Sequence, residues 1–131
     1  MIVDSCILLD IATNDPVHAD PSIAAIQRYQ QTEQLAINPL IYGEVCRAFL
    51  ADGVLDLALR GYHIDKLPLP YEAARIAAEA FARFKANKGR KNHILPDFFI
   101  GAHAQVERRM ILTRDRKVFS QYFQDLQVIE P

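Results

Sequence analysis

The chain has 131 residues, and 50% of them are hydrophobic, which is enough for a single domain, 1–131, around one core. Its formal net charge of −1 excludes a protein that attracts nucleic acid through overall charge, so any polyanion must be bound locally. Because no leader or membrane-length apolar run occurs and Cys6 and Cys46 lack metal-ligand spacing, we expect a cytoplasmic, membrane-free protein with both thiols in the core.

Apolar runs of strand length alternate with segments of helical periodicity along the chain. Asp20-Pro21 and Asn38-Pro39 predict two helix starts, with Asp20 and Asn38 as N-caps. The mixed segment 63–69 predicts at most an edge element. In chain order, the predicted elements are strand 1–3, a helix before 14, a helix from 21, strand 35–37, helix 39–51, helix 54–59, helix 71–88 closed by Gly89, a helix from 95, strand 110–113, helix 116–123 and strand 126–129.

Strands separated by helices predict right-handed crossovers and a parallel sheet that is covered on both faces. The predicted fold is therefore a three-layer α/β/α sandwich with a small parallel sheet. In such sheets, ligands bind beyond the carboxyl ends of the strands, where the strand order reverses. Asp4 and Asp115 follow predicted strands, whereas Asp97 begins a helix and Glu44 lies one turn into another. The four acids can then share one crevice.

Glu44 is the acid that local helix chemistry does not explain. It shares the apolar stripe of Ile41 and Val45, so its carboxylate is predicted to point into the core. An isolated buried carboxylate costs several kcal/mol unless it is protonated, salt-bridged or bound to a cation. An arginine such as Arg47, Arg108 or Arg114 could neutralise it, and a bound metal ion is the other solution.

Asp4, Asp97 and Asp115 each have a second interpretation, because an aspartate at a helix start also serves as an N-cap. If all four acids converge, however, carboxylates about 4 Å apart repel by about 4 kcal/mol at an effective dielectric of 20. Carboxylates and water suit Mg²⁺, with Mn²⁺ able to substitute, whereas Zn²⁺ favours His or Cys ligands. His103, on the same predicted helix as Asp97, is interpreted as a packing or hydrogen-bonding group.

Basic residues flank the last two acids. They are candidates for contact with a phosphate backbone, although a solvated loop or helix face is the default interpretation of such charges. These candidates are Lys88, Arg90, Lys91, Arg114 and Arg116.

Four segments, which together span nearly the whole chain, resemble the PIN-domain ribonucleases and, within them, the toxins of VapBC-type toxin–antitoxin pairs. The last two are the most specific. The segments are Val3-Asp4-Ser5 with Leu8-Leu9-Asp10, Asn38-Pro39-Leu40-Ile41-Tyr42-Gly43-Glu44, Leu95-Pro96-Asp97-Phe98-Phe99-Ile100-Gly101-Ala102-His103, and Leu112-Thr113-Arg114-Asp115.

The resemblance implies functional roles for individual residues. It assigns Asp4, Glu44, Asp97 and Asp115 to a catalytic, metal-binding quartet, and it gives no such role to Asp10 or Asp15. It also makes the hydroxyls of Ser5 and Thr113 neighbours that position a metal-bound water. It further implies the PIN fold, Mg²⁺-dependent RNA cleavage, homodimerisation and inhibition by a cognate antitoxin protein.

The leading hypothesis is an endoribonuclease that uses Mg²⁺ to activate water and to neutralise charge on the reacting phosphate. An alternative is a PIN-fold module that binds RNA or protein without turnover. A phosphohydrolase of the haloacid dehalogenase type also places an aspartate after its first strand, but it needs a second aspartate where Cys6 stands. The sequence therefore disfavours that third hypothesis.

Overall fold

The computed structural model describes residues 1–49, 53–86 and 95–131. Within these ranges, the strands are β1 (Ile2–Val3), β2 (Leu35–Ile37), β3 (Ile64–Lys66), β4 (Ile111–Leu112) and β5 (Val128–Ile129). The helices are α1 (Ser5–Ala12), α2 (Ala19–Tyr29), α3 (Pro39–Cys46), α4 (Val54–Gly61), α5 (Tyr71–Ala86), α6 (Leu95–Val106) and α7 (Arg116–Tyr122).

The five strands pair in parallel in one sheet, in the order β3-β2-β1-β4-β5. The chain therefore runs outward from β1 to β3 and returns to the other side of β1 for β4. Helices α1, α2 and α3 pack together, and so do α5, α6 and α7, so helices flank the sheet. Side chains of β1, β2 and β4 are fully buried, as strands covered on both faces require. The predicted α/β class and parallel sheet are confirmed.

Three local predictions have different outcomes. The edge element at 63–69 is confirmed as β3, which lies at one edge of the sheet. The helix predicted to reach 51 ends at Cys46, where the backbone tightens into i to i+3 turns. Asp20 as an N-cap is wrong: Asp15 Oδ1 instead accepts from the backbone N–H groups of Val17 and His18, and α2 begins before Asp20.

Asn38 is confirmed as the N-cap of α3, since its Oδ1 accepts from Leu40 N at 3.0 Å and from Ile41 N at 3.1 Å. The predicted helix end at Lys88 and its closing Gly89 lie outside the described residues. None of the helices described is both long and apolar enough to span a membrane.

Candidate functional site

The strand order reverses at β1, and polar side chains follow both β1 and its neighbour β4 at their carboxyl ends. Asp4 follows β1 directly and Thr113 follows β4. Both side chains are buried, with Asp4 6% and Thr113 0% exposed. Thr113 Oγ1 donates to Asp4 Oδ2 at 2.6 Å, across the crevice in which ligands of open parallel sheets bind.

Asp4 is held by donors on both carboxylate oxygens. Its Oδ1 accepts from Ser5 N at 2.8 Å and from the Ser5 hydroxyl at 3.4 Å, so Asp4 does cap α1. Its Oδ2 accepts from Thr113 and from the Cys6 thiol at 3.4 Å. Burial raises the pKa of Asp4 above its ordinary value, while the hydrogen bonds from Thr113, Ser5 and Cys6 lower it. The site thus holds a carboxylate in fixed orientation but under a desolvation penalty.

Glu44 lies on α3 and is half-buried. Its carboxylate is hydrogen-bonded to Ser5 and lies near the charge of Asp4, so it faces this crevice rather than the centre of the core. Burial raises its pKa, and the nearby charge of Asp4 raises it further, while hydrogen bonding from the Ser5 hydroxyl lowers it. Among the described residues, its Oε2 is buried without a hydrogen-bond partner. Asp4 and Glu44 are therefore brought together, and one of their oxygens lacks a donor or cation.

Asp97 and Asp115 occupy the elements next to this pair. Asp97 is half-buried in the first turn of α6, a helix that contacts α3. Asp115 is exposed at the N-cap of α7, where its side chain makes no capping bond and its backbone N–H donates to Thr113 Oγ1 at 3.0 Å. Across the ranges that the structure describes, no three His, Cys, Asp or Glu side chains form a group that could hold a metal ion. The four-acid metal site remains a prediction.

A buried hydrogen bond connects the helices that carry Glu44 and Asp97. Because Asn38 Oδ1 accepts from the backbone of α3, its Nδ2 is the donor to His103 Nδ1, at 3.2 Å. Burial lowers the pKa of His103, which is therefore neutral at neutral pH. His103 acts as the hydrogen-bonding group that the sequence predicted.

The two predicted phosphate-contacting residues that the structure describes, Arg114 and Arg116, both have acidic partners. Arg114 forms an ion pair with Asp10 at 2.8 Å, and Arg116 approaches Glu130 at 3.4 Å on the exposed surface. Lys88, Arg90 and Lys91 lie outside the described residues. Arg114 is therefore paired within the protein. The ion pair of Arg116 with Glu130 is exposed and screened by solvent, so Arg116 can leave it to contact a phosphate.

Sequence reasoning missed two residues near the site. Cys6 was assigned to the core, but its thiol donates to Asp4; burial and the charge of Asp4 raise the pKa of this thiol to about 12, which keeps it protonated. Asp10 was given no role, yet it is 3% exposed and paired with Arg114. The signal for Asp10 was available, since it lies in the apolar segment of α1 as Glu44 lies in that of α3.

Comparisons with known proteins agree with this geometry. The family model for the PIN domain matches residues 1–123. Searching curated proteins gives no match. Similar solved structures include VapBC2 from Rickettsia felis bound to a promoter DNA fragment, with 14% identity, a TM-score of 0.78 and coverage of 99% of this chain and 97% of that chain.

Two further solved structures also match this chain over nearly its whole length. A toxin–antitoxin complex from Klebsiella pneumoniae has 21% identity and a TM-score of 0.72, with 98% of this chain and 94% of that chain covered. VapBC-1 from nontypeable Haemophilus influenzae has 17% identity and a TM-score of 0.72, with coverage of 98% and 96%. At these identities the likeness shows a shared fold.

Proposed function

Because the chain belongs to the PIN-domain family, we propose that residues 1–131 form a single nuclease domain, a Mg²⁺-dependent endoribonuclease that is the toxin of a toxin–antitoxin pair. The observation that carries this proposal is the pair of Asp4 and Glu44 at the switch point of the sheet. Burial and mutual repulsion raise the pKa of Glu44, and its Oε2 has no partner among the described residues. A divalent cation supplies the positive charge that this pair lacks.

The donors present fit Mg²⁺ or Mn²⁺, because carboxylate oxygens are the ligands that these hard cations prefer. We propose that Asp4 and Asp97 hold the metal, with Asp115 and Glu44 completing the site directly or through water. When bound, the ion supplies Lewis-acid activation of water and neutralises charge on the reacting phosphate. Mutual repulsion of the carboxylates opposes their full convergence without a cation between them.

The surrounding residues of the chain orient the acids. Thr113, Cys6 and Ser5 direct donors at Asp4, which fixes both of its oxygens before any ligand binds. In the proposed reaction, the Ser5 and Thr113 hydroxyls also position water beside the carboxylates. Preorganised groups of this kind contribute to catalysis because they need no rearrangement during the reaction.

The proposed substrate is RNA, and the proposed partner is a cognate antitoxin. Three of the solved structures with this fold are described as VapBC or toxin–antitoxin complexes, which supports the partner assignment. Arg116 is the described candidate for phosphate contact, together with Lys88, Arg90 and Lys91 elsewhere on the chain. We also propose a homodimer that acts in the cytoplasm.

The test is cleavage of RNA by the purified chain with and without Mg²⁺. Asp4→Asn and Asp97→Asn should abolish cleavage, whereas Asp20→Asn, an exposed aspartate on α2, should not change it. Water attack should leave 5′-phosphate and 3′-hydroxyl ends, which end-labelling detects. Metal titration by calorimetry distinguishes the alternative: RNA binding without a divalent-ion site and without cleavage would identify a binding module instead.

A further inference from the structure

An ion pair between a buried carboxylate and a partly exposed arginine attaches the proposed site to helix α1 at a second point. Asp10 is 3% exposed, and its Oδ1 accepts from Arg114 Nη2 at 2.8 Å. Its Oδ2 accepts from the Ser22 hydroxyl at 2.8 Å, and Ser22 is fully buried on α2. One carboxylate therefore joins α1, α2 and the loop between β4 and α7.

That loop, residues 113–115, is attached to the start of α1 at successive positions. Thr113 Oγ1 donates to Asp4, and the backbone N–H of Arg114 donates to Cys6 Sγ at 3.4 Å. The guanidinium of Arg114 then reaches Asp10, about one turn beyond Cys6 along α1. Asp115 directly follows Arg114, so its backbone position depends on these attachments.

The energetics favour a fixed Arg114. Among the described residues, Arg114 is the cation paired with Asp10. A buried carboxylate that loses its cation costs several kcal/mol, so release of Arg114 from Asp10 is opposed. The Arg114 side chain is 36% exposed, which leaves one side of it in water while its inner side stays paired. An arginine held in this way serves poorly as a mobile phosphate ligand and well as a fixed attachment for its own backbone.

We propose that Asp10 is a positioning residue, which acts through Arg114 to hold the loop of Thr113 and Asp115 in the geometry that the reaction needs. The inference deepens the proposed nuclease function and rests on it. Residues that orient metal ligands commonly change activity by about 10- to 100-fold when they are replaced. We therefore assign Arg114 to the support of the site rather than to RNA binding.

The experiment compares Asp10→Asn, Arg114→Gln and the double variant in steady-state RNA cleavage. Each single variant should lower kcat by about 10- to 100-fold with KM unchanged, and the double variant should be no worse than either single one, because both act through one contact. Glu130→Gln, which removes the exposed partner of Arg116 beyond the same loop, is the matched control and should retain full kcat. The double variant buries no unpaired charge, so it keeps the test valid if a single variant fails to fold.

Two results would overturn the proposal. In the first, Arg114 binds RNA phosphate: Arg114→Gln raises KM and reduces the slope of log RNA-binding constant against log salt concentration by about 1. Asp10→Asn then leaves kcat unchanged. Unchanged kcat in all three folded variants would likewise refute a positioning role.

A second readout does not depend on cleavage. Amide hydrogen exchange of Arg114 and Asp115 should become faster in Asp10→Asn, whereas exchange in β1 should not change, and unchanged exchange at both amides would show that Asp10 does not hold the loop. If the native chain cleaves no RNA with Mg²⁺ or Mn²⁺, the proposed function fails, and this exchange measurement still decides whether Asp10 holds the loop.

Discussion

Removal of the Thr113 hydroxyl tests how the site holds Asp4. Thr113 is fully buried; its Oγ1 donates to Asp4 Oδ2 at 2.6 Å and accepts from Asp115 N at 3.0 Å. Thr113→Val keeps the shape of the side chain and removes both bonds. A hydrogen bond to a charged group contributes about 1.5–3 kcal/mol, and a neutral one about 0.5–1.5 kcal/mol. We expect the free energy of unfolding to fall by about 2–4 kcal/mol when Asp4 is ionised.

For a chain of 131 residues, this loss corresponds to a decrease of about 7–14 °C in melting temperature. Thermal and urea unfolding in the presence of a chelator measure it. Thr113→Ser is the matched control, because it keeps the hydroxyl and loses only a methyl group. It should cost about 1 kcal/mol.

The pH dependence follows from the pKa of Asp4. Burial raises that pKa above the unfolded value, so the stability that protonation of Asp4 provides is complete below the unfolded pKa and is lost as the pH rises through the folded pKa. The Thr113 hydroxyl opposes the rise, and Thr113→Val therefore raises the pKa further. The loss of stability should be largest above the folded pKa and smallest below it. Equal losses for valine and serine, or a valine loss that does not vary with pH, would contradict the reasoning.

Three further predictions concern the acids and the packing behind them. Glu44→Gln should abolish cleavage yet stabilise the metal-free protein near neutral pH, because the raised pKa of Glu44 means that its ionised form opposes folding. Unfolding in the presence of a chelator measures this stability, and a destabilised variant would contradict the prediction. Mg²⁺ should raise the melting temperature more at about pH 8 than at about pH 5.5, because protons compete with the metal for carboxylates whose pKa values are raised. An equal shift at both pH values would count against a carboxylate site. Gly101→Ala should destabilise the fold by about 1–3 kcal/mol, because a Cβ there would lie 2.5 Å from Phe123 Cε2; Gly61→Ala, where nothing lies within 4 Å, is the control in the same unfolding assay.

The sequence predicted the elements well where a strong local signal existed. Asn38-Pro39 marks the start of α3 because a side-chain acceptor and a residue without an N–H suit the first turn of a helix. The same signal at Asp20-Pro21 gave a wrong helix start. Asp15 accepts from the two backbone N–H groups ahead of α2 and so fixes an earlier start. Where two capping residues compete, the choice depends on packing that the local sequence does not contain.

The sequence predicted only part of the site, because some of its contacts depend on the order of the strands. Asp4 could be placed from the sequence because it follows a buried strand, and parallel strands end at one edge. Pairing of Asp10 with Arg114 spans 104 positions and depends on which side of β1 receives β4, which residue spacing does not specify. Periodicity identifies a buried acid, whereas only the topology identifies its partner.

The three buried or half-buried acids near α1 illustrate what separates a structural carboxylate from a ligand. Asp10 receives an arginine and a hydroxyl from within the chain, and its charge is thereby compensated. Asp4 receives hydroxyl, thiol and backbone donors, which orient it but supply no positive charge, and Glu44 has an oxygen that no group in the described part of the chain satisfies. An uncompensated pair of this kind opposes folding when it is ionised, so its presence beside a fully compensated acid needs a cause outside the stability of the chain. A cation that binds from solution provides that cause, because its charge compensates Asp4 and Glu44 as Arg114 compensates Asp10.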